Sequence, residues 1–175
     1  MTQEKQLNED RHPSLISKKA MAAATRTSGS STPLVHELFT KINNAKDKTK
    51  KIAVLRENDS QALRQLCKAA FYSKIQFDLP AGDPPYVENE APAGTEHTSL
   101  FNEARRLYVY IVGGNNQIKR VRKETLFIQL LEGLHKDDAK VLLHIKNKTL
   151  NKAYKGFTES VVKEAFDWTD DFVKR

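Results

Sequence analysis

The residues best suited by type and spacing to a chemical task lie in the C-terminal third of the chain. Four lysines fall within ten residues there, namely Lys146, Lys148, Lys152 and Lys155. Gly156 follows at a position that predicts a helix C-cap with positive φ, and Thr158 is predicted to cap the next helix. Backbone amides at a helix start bind phosphate readily. The pattern therefore predicts a grip on the phosphate backbone of a nucleic acid.

A second basic group opens a predicted helix over residues 119–134. It consists of Lys119, Arg120, Arg122 and Lys123. Positive side chains in a first helical turn oppose the helix dipole, so helix stability does not explain them. An anionic partner would explain them. For both groups the sequence leaves open the alternative of a solvated helical face.

Residues that could support catalysis or metal binding lack a pattern that completes a site. His97 lies near Glu96 and Glu103 without an HExxH or Cys/His arrangement, and we interpret it as a surface histidine. His135 and His144 have no Cys or Asp pattern that completes a ligand set, so no metal is predicted. No glycine-rich nucleotide loop or serine nucleophile motif is present. We therefore expect a protein that is not an enzyme and has no cofactor.

Composition restricts the class of protein. The chain has 175 residues, 39% of them apolar, and a net charge of +7, which fits one basic domain with a tail. The charge is uneven, because residues 103–155 carry +7 whereas residues 79–102 carry −4. The single cysteine, Cys67, excludes an intramolecular disulfide and fits a core position in a reducing compartment. No apolar run has the length of a membrane span, so no membrane partner is expected.

Apolar periodicity predicts an all-α domain over residues 33–175, preceded by a flexible arm over residues 1–32. Residues 16–24 of the arm could form a short amphipathic helix on a partner. The first domain helix is predicted to start with Thr32 as N-cap and Pro33 as its first residue. The next is predicted near residues 47–56, with four lysines projecting outward: Lys46, Lys48, Lys50 and Lys51.

Later elements follow from the same reasoning. Asp59 and Ser60 are predicted to cap a third helix with an apolar face. Four of the six prolines lie between residues 79 and 94 and exclude a helix, and the acidity of this loop suggests that it covers the domain rather than faces phosphate. A further helix is predicted from Thr95 or Thr98 to Gly113–Gly114. Its inward residues would be Leu100, Ala104, Leu107, Tyr108 and Ile111.

Three segments, 50–64, 137–142 and 148–166, resemble in order and spacing the N-terminal DNA-binding domain of phage-type ATP-dependent DNA ligases. The residues that carry this resemblance include Asp137-Asp138-Ala139-Lys140-Val141-Leu142 and Gly156-Phe157-Thr158-Glu159-Ser160. The resemblance covers about residues 34–168 and implies an all-helical domain that grips duplex DNA by its minor groove and backbone. It places Lys148, Gly156, Thr158 and Ser160 on the turn segment of that domain. The KxDG adenylation motif is absent, so ligation chemistry is not implied.

The chain also resembles a small uncharacterised protein family of large contractile-tailed, especially marine, bacteriophages. Together these features predict a non-enzymatic phage protein that binds the phosphate backbone of double-stranded DNA with a basic helix-turn-helix surface. Its expected location is the host cytoplasm or the virion.

The sequence also leaves open two alternatives in which the partner is a protein. The alternative function is a virion structural or assembly protein, a capsid, neck or tail component that docks through its arm and helical body. Trp168 and Phe172 would be exposed anchors for that role, although Trp168 also fits the domain core. Contact with a host or phage replication protein is a further possibility that leaves no sequence signature.

Overall fold

Short helices, joined by turns and by one long segment over residues 72–99, build residues 32–175, the part of the chain that the computed structural model describes. The eight α-helices of this part are α1 Val35–Asn44, α2 Lys48–Glu57, α3 Gln61–Phe71, α4 Leu100–Glu103, α5 Arg120–Gly133, α6 Lys136–Lys146, α7 Leu150–Ala153 and α8 Glu159–Phe166. A 3-10 helix, Ala104–Tyr110, continues directly from α4. The all-α prediction is confirmed. The predicted arm, apart from Thr32, and the predicted helix over residues 16–24 lie outside the described residues.

Helix α6 is the centre of the domain, because it packs against α1, α3, α5 and α7. Apolar side chains occupy most of its circumference, which is typical of a buried helix. Its buried apolar residues are Ala139, Val141, Leu142, Leu143 and Ile145. Helices α2 and α8 pack along each other, and α8 also contacts α3. Helices α6 and α8, which lie on either side of the lysine-rich segment 146–155, are therefore held by the core.

The predicted helix starts agree only in part with the structure. Ser60 caps α3 as predicted, since its hydroxyl accepts the Leu63 amide at 3.1 Å. The prediction for α1 is wrong, because the helix begins at Val35 and not at Pro33. Its N-cap is Leu34, whose amide donates to the Glu37 carboxylate at 2.9 Å. The Glu37 carboxylate thus satisfies the amide of the N-cap residue, and no side chain accepts the amides of the first helical turn as Thr32 was expected to do.

The segment after α4 winds as a 3-10 helix rather than the predicted α-helix. At three residues per turn, residues three apart lie on one face. Ala104, Leu107 and Tyr110 are accordingly buried, whereas Tyr108 is 53% exposed. Ile111 lies just beyond the helix, in an isolated antiparallel bridge with Phe77. The inward direction predicted for Tyr108 is therefore wrong.

The proline-rich loop over residues 79–94 covers part of the helical body, as its acidity suggested. The Lys146 ammonium donates to the Gly82 carbonyl at 2.7 Å. The Asn147 amide donates to the Asp83 carboxylate at 2.8 Å. Both contacts attach the loop to the C-terminal end of α6.

The C-terminal aromatic residues close the core. Trp168 and Phe172 are 7% and 3% exposed, and Trp168 stacks obliquely between Phe166 and Phe172. Their prediction as exposed anchors is wrong, and the core position considered for Trp168 is confirmed. Cys67 is fully buried in α3, where burial raises the pKa of its thiol. Among the described residues, no helix is both long and apolar enough to cross a membrane.

Candidate nucleic-acid interface

Lys148 occupies the turn after α6 with a positive φ of 57°. The Thr149 amide donates to the His144 carbonyl and the Lys148 amide to the Ile145 carbonyl, so the turn is a Schellman motif. Glycine is the usual residue at this left-handed position, because it has no Cβ that clashes there. The sequence placed the positive φ at Gly156, and the structure has it at Lys148.

The Lys148 side chain turns inward and is not available to a phosphate. Its ammonium donates to the carbonyls of Ala69 and Tyr72, the latter at 3.1 Å, at the C-terminal end of α3. Burial lowers the pKa of Lys148 to about 8. Lys148 is therefore left out of the interface proposed below, because its side chain already caps a helix of its own domain.

Lys146 is likewise occupied within the domain. It is 8% exposed, and its ammonium contacts the Gly82 carbonyl and the Asn147 side chain. Burial lowers the pKa of Lys146, partly offset by the nearby Asp83 carboxylate. Lys146 holds the acidic loop in place and is removed from the predicted interface.

Two of the four cations at the start of α5 also have internal partners. Lys123 is 2% exposed, and its ammonium donates to the Asp78 carboxylate at 2.9 Å. The Arg120 guanidinium lies 4.0 Å from Asp78 and 3.9 Å from Glu124. These contacts explain the cations that the helix dipole disfavours, so an external anion is not needed for them. Of the four, Lys119 and Arg122 are exposed and have no ion pair among the described residues.

Gly156 allows two segments of the chain to approach each other closely, and it does not adopt a left-handed conformation. Its amide donates to the Asn43 side chain at 3.1 Å. A Cβ at this position would meet the Lys51 ammonium and lie 3.4 Å from the Asn43 carbonyl. Glycine suits this position because the bend packs against the C-terminal end of α1, and a larger residue would displace the Lys51 side chain.

Lys51 is the cation at the centre of this contact. Its ammonium donates to the carbonyls of Ile42, Asn43 and Ala45 at 3.0, 3.1 and 2.6 Å. The prediction that Lys51 projects outward is wrong, since it caps the C-terminal end of α1. The same ammonium adjoins Gly156, so two distant segments of the chain meet at one point.

The start of α8 leaves its polar groups accessible. The Thr158 side chain forms no cap, contrary to the prediction, and its hydroxyl instead lies 3.2 Å from the hydroxyl of Ser160. The first bond within the helix runs from the Val162 amide to the Thr158 carbonyl. The amides of Glu159 and Ser160 precede this bond and have no helical partner.

Three exposed lysines lie close in sequence to the two segments that meet here, and we call them the junction surface: Lys46, Lys152 and Lys155. Lys46 follows Ala45, and Lys155 precedes Gly156, so each is one residue from a group that contacts the Lys51 ammonium. Lys152 lies in α7, three residues before Lys155, which follows the end of that helix. None of the three forms an ion pair among residues 32–175. The structure therefore brings together part of the predicted site with one lysine from α1–α2, and it leaves Lys119 and Arg122 on α5.

A second polar cluster was missed from the sequence. His36, His135 and Asp137 lie together, with one possible ligand atom from each within 4.8 Å of the others. The adjacent His135 and Asp137 were a usable signal, since a histidine and a carboxylate two residues apart can share a ligand set. His97 is exposed, as expected for a surface histidine.

The described residues thus define an all-α domain with a small cationic junction. Residues 38–152 match DUF6433, a family of unknown function, and the chain belongs to that family. The matched region begins within α1 and ends within α7. No curated protein and no solved structure matches the chain.

Proposed function

We propose that this protein binds double-stranded DNA without catalysis, through the junction surface and the start of α8, chiefly by neutralising phosphates. The main observation behind this proposal is that Lys46, Lys152 and Lys155 are exposed and form no ion pair among the described residues. Most neighbouring cations, in contrast, have internal partners. Phosphate contacts of this kind give affinity with little base readout. The resemblance to a ligase DNA-binding domain points to the same ligand.

Nearby carboxylates do not cancel the charge of the junction surface, because each has its own cation. Glu164 pairs with Lys48. Glu159 pairs with Lys163, one turn along α8. The lysines of the junction surface are then not neutralised by these carboxylates.

The start of α8 adds hydrogen-bond donors beside these charges. The hydroxyls of Thr158 and Ser160 and the amides of Glu159 and Ser160 lie within five residues of Lys155 in the sequence. Backbone amides, hydroxyls and lysines together are the usual donors to DNA phosphates. This combination favours a nucleic acid over an arbitrary acidic partner.

The test is binding of a labelled DNA duplex to the full chain, followed by fluorescence anisotropy at several salt concentrations. Lys152→Glu with Lys155→Glu is expected to weaken binding about tenfold or more at low salt. The slope of log affinity against log salt should also become shallower by about 0.9 for each lost contact.

A matched control separates a local contact from the overall charge. Lys119→Glu with Arg122→Glu changes the net charge by the same amount on exposed residues of α5. This variant should bind nearly as tightly as the parent chain. Equal losses in the two variants, or no DNA binding by the parent chain, would refute the junction surface as the DNA site.

The virion alternative is supported by a different observation. Tyr108 and Val112 are 53% and 63% exposed, and apolar side chains this exposed suit a protein contact. A capsid, neck or tail component could cover them. Mass spectrometry of purified particles distinguishes the roles, since abundant copies in virions together with unmeasurable DNA binding would favour the structural role.

A further inference from the structure

The side chains of His36, His135 and Asp137 form a polar cluster where the N-terminal ends of α1 and α6 meet. The two imidazole rings are stacked, with centroids 4.9 Å apart and planes 10° apart. The Asp137 Oδ2 atom lies 3.9 Å from His36 Nε2 and 3.9 Å from His135 Nδ1. One carboxylate oxygen therefore faces a ring nitrogen of each histidine.

Asp138 fixes the orientation of His36 through the ring nitrogen that does not face Asp137. Its carboxylate is 1% exposed, and Oδ1 accepts the His36 backbone amide and lies 2.8 Å from His36 Nδ1. A carboxylate on one imidazole nitrogen holds the proton there and leaves the other nitrogen as a free lone pair. His36 Nε2, the nitrogen on the Asp137 side, is then the atom that can bind a metal.

We propose that His36, His135 and Asp137 bind a divalent transition metal ion, Zn²⁺ in particular, with Asp138 as the carboxylate that orients His36. Two imidazoles and one carboxylate suit Zn²⁺ rather than Mg²⁺ or Ca²⁺, which prefer oxygen ligands. Three protein ligands leave a fourth position for water. This site is independent of the proposed DNA function.

Metal binding requires the three ligand atoms, which now lie within 4.8 Å of one another, to move closer together. Bonds of about 2.0–2.2 Å to a tetrahedral ion place ligand atoms about 3.3–3.5 Å apart. The present separations of 3.9 Å must each shorten by roughly half an ångström. The stacked rings must also rotate apart, since a metal lies in the plane of each imidazole that binds it.

Charge and access fit the same ion. Asp137 turns Oδ1 towards Lys140, at 3.8 Å, and keeps Oδ2 for the histidines. The carboxylates of Asp137 and Asp138 balance the two charges of the ion. The side chains of His36 and His135 are 18% and 11% exposed, and that of Asp137 is 42% exposed, so an ion can enter from solvent.

One existing hydrogen bond competes with metal binding. The Asp137 amide donates to His135 Nδ1 at 3.2 Å, which makes His135 the N-cap of α6. A metal on this nitrogen replaces that bond. We therefore expect a moderate affinity, in which the ion links α1 to α6 without being needed for folding.

The test uses the full chain without a histidine tag, treated with a chelator and dialysed. Zn²⁺ is titrated calorimetrically, and Co²⁺ is added separately because its visible absorption reports four-coordinate geometry. One ion should bind per chain, and His135→Gln and Asp137→Asn should each weaken Zn²⁺ binding about tenfold or more. Mg²⁺ should not compete.

Two control variants identify adventitious binding. His144→Gln removes a histidine near the opposite end of α6 from His135, and His12→Gln removes one from the N-terminal segment. Both should bind Zn²⁺ like the parent chain. Circular dichroism of His135→Gln checks that the fold is retained. Absence of Zn²⁺ binding by the parent chain would overturn the proposal, as would unchanged affinity in the folded His135→Gln and Asp137→Asn variants.

Discussion

Replacement of either partner of the Lys123–Asp78 pair should have unequal effects on stability. Lys123 is almost fully buried in α5, whereas the Asp78 side chain is 33% exposed. Asp78→Asn keeps the shape of the acceptor and removes its charge, so the ammonium is left buried without a counterion. Lys123→Met removes the buried charge and fills nearly the same volume with an apolar chain.

The structure sets the expected magnitudes. Loss of one partner of a buried pair typically costs about 3–5 kcal/mol, because the other charge stays uncompensated. Water reaches the exposed part of Asp78, which lowers the expected cost of Asp78→Asn to about 2–3 kcal/mol in the free energy of unfolding. Lys123→Met should change it by only about 1 kcal/mol in either direction, since an apolar replacement of a buried ion is often neutral.

Urea denaturation of both single variants and the double variant measures these values in one double-mutant cycle. The double variant should regain most of the stability lost in Asp78→Asn, because it no longer contains a buried charge. If Lys123→Met were as destabilising as Asp78→Asn, the ammonium would be contributing net stability rather than requiring compensation. Absence of coupling between the two positions in the cycle would refute the account of Lys123 and Asp78 as an internal ion pair.

Three further predictions concern Lys148, Gly156 and Phe157. Burial lowers the pKa of Lys148 to about 8, against 10.5 for an ordinary lysine, so between these pH values the unfolded chain holds more protons than the folded chain. The parent chain should therefore gain stability relative to Lys148→Met as the pH rises through this range. Urea denaturation at several pH values measures this gain. Gly156→Ala should cost about 1–2 kcal/mol, because its Cβ displaces the Lys51 ammonium from helix carbonyls, and a thermal melt reports it. Phe157→Ala should cost about 3–5 kcal/mol in the same assay, because this fully buried ring packs edge-on against Phe39 and Phe71.

Apolar periodicity was sufficient to predict the all-α class and most buried faces, because helix burial repeats with the helical period. This reasoning failed where the number of residues per helical turn changed. Residues 104–110 form a 3-10 helix, so Tyr110 is buried in place of Tyr108. No residue in this segment marks the change of period, and packing against α3 and α5 accompanies it in the structure.

The candidate site was less accessible to sequence reasoning, because charge alone does not tell which lysines fold inward. Lys148 and Lys155 lie in the same basic stretch of sequence, yet the Lys148 ammonium contacts the carbonyls at the end of α3 and Lys155 is exposed. That contact depends on how α6 crosses α3. His36 and Asp138 are 102 residues apart, and no local pattern predicts that they meet.

The positive net charge of this chain has in part a structural cause. A short helix leaves its last four carbonyls without partners, and cationic side chains can satisfy them. Lys51 does so for α1 and Lys148 for α3. Arg56 does so for α8, since its guanidinium donates to the carbonyls of Ala165 and Glu164 at 3.0 Å. A domain built from many short helices thus uses cations internally, and only the lysines left outside these caps can support the proposed DNA contact.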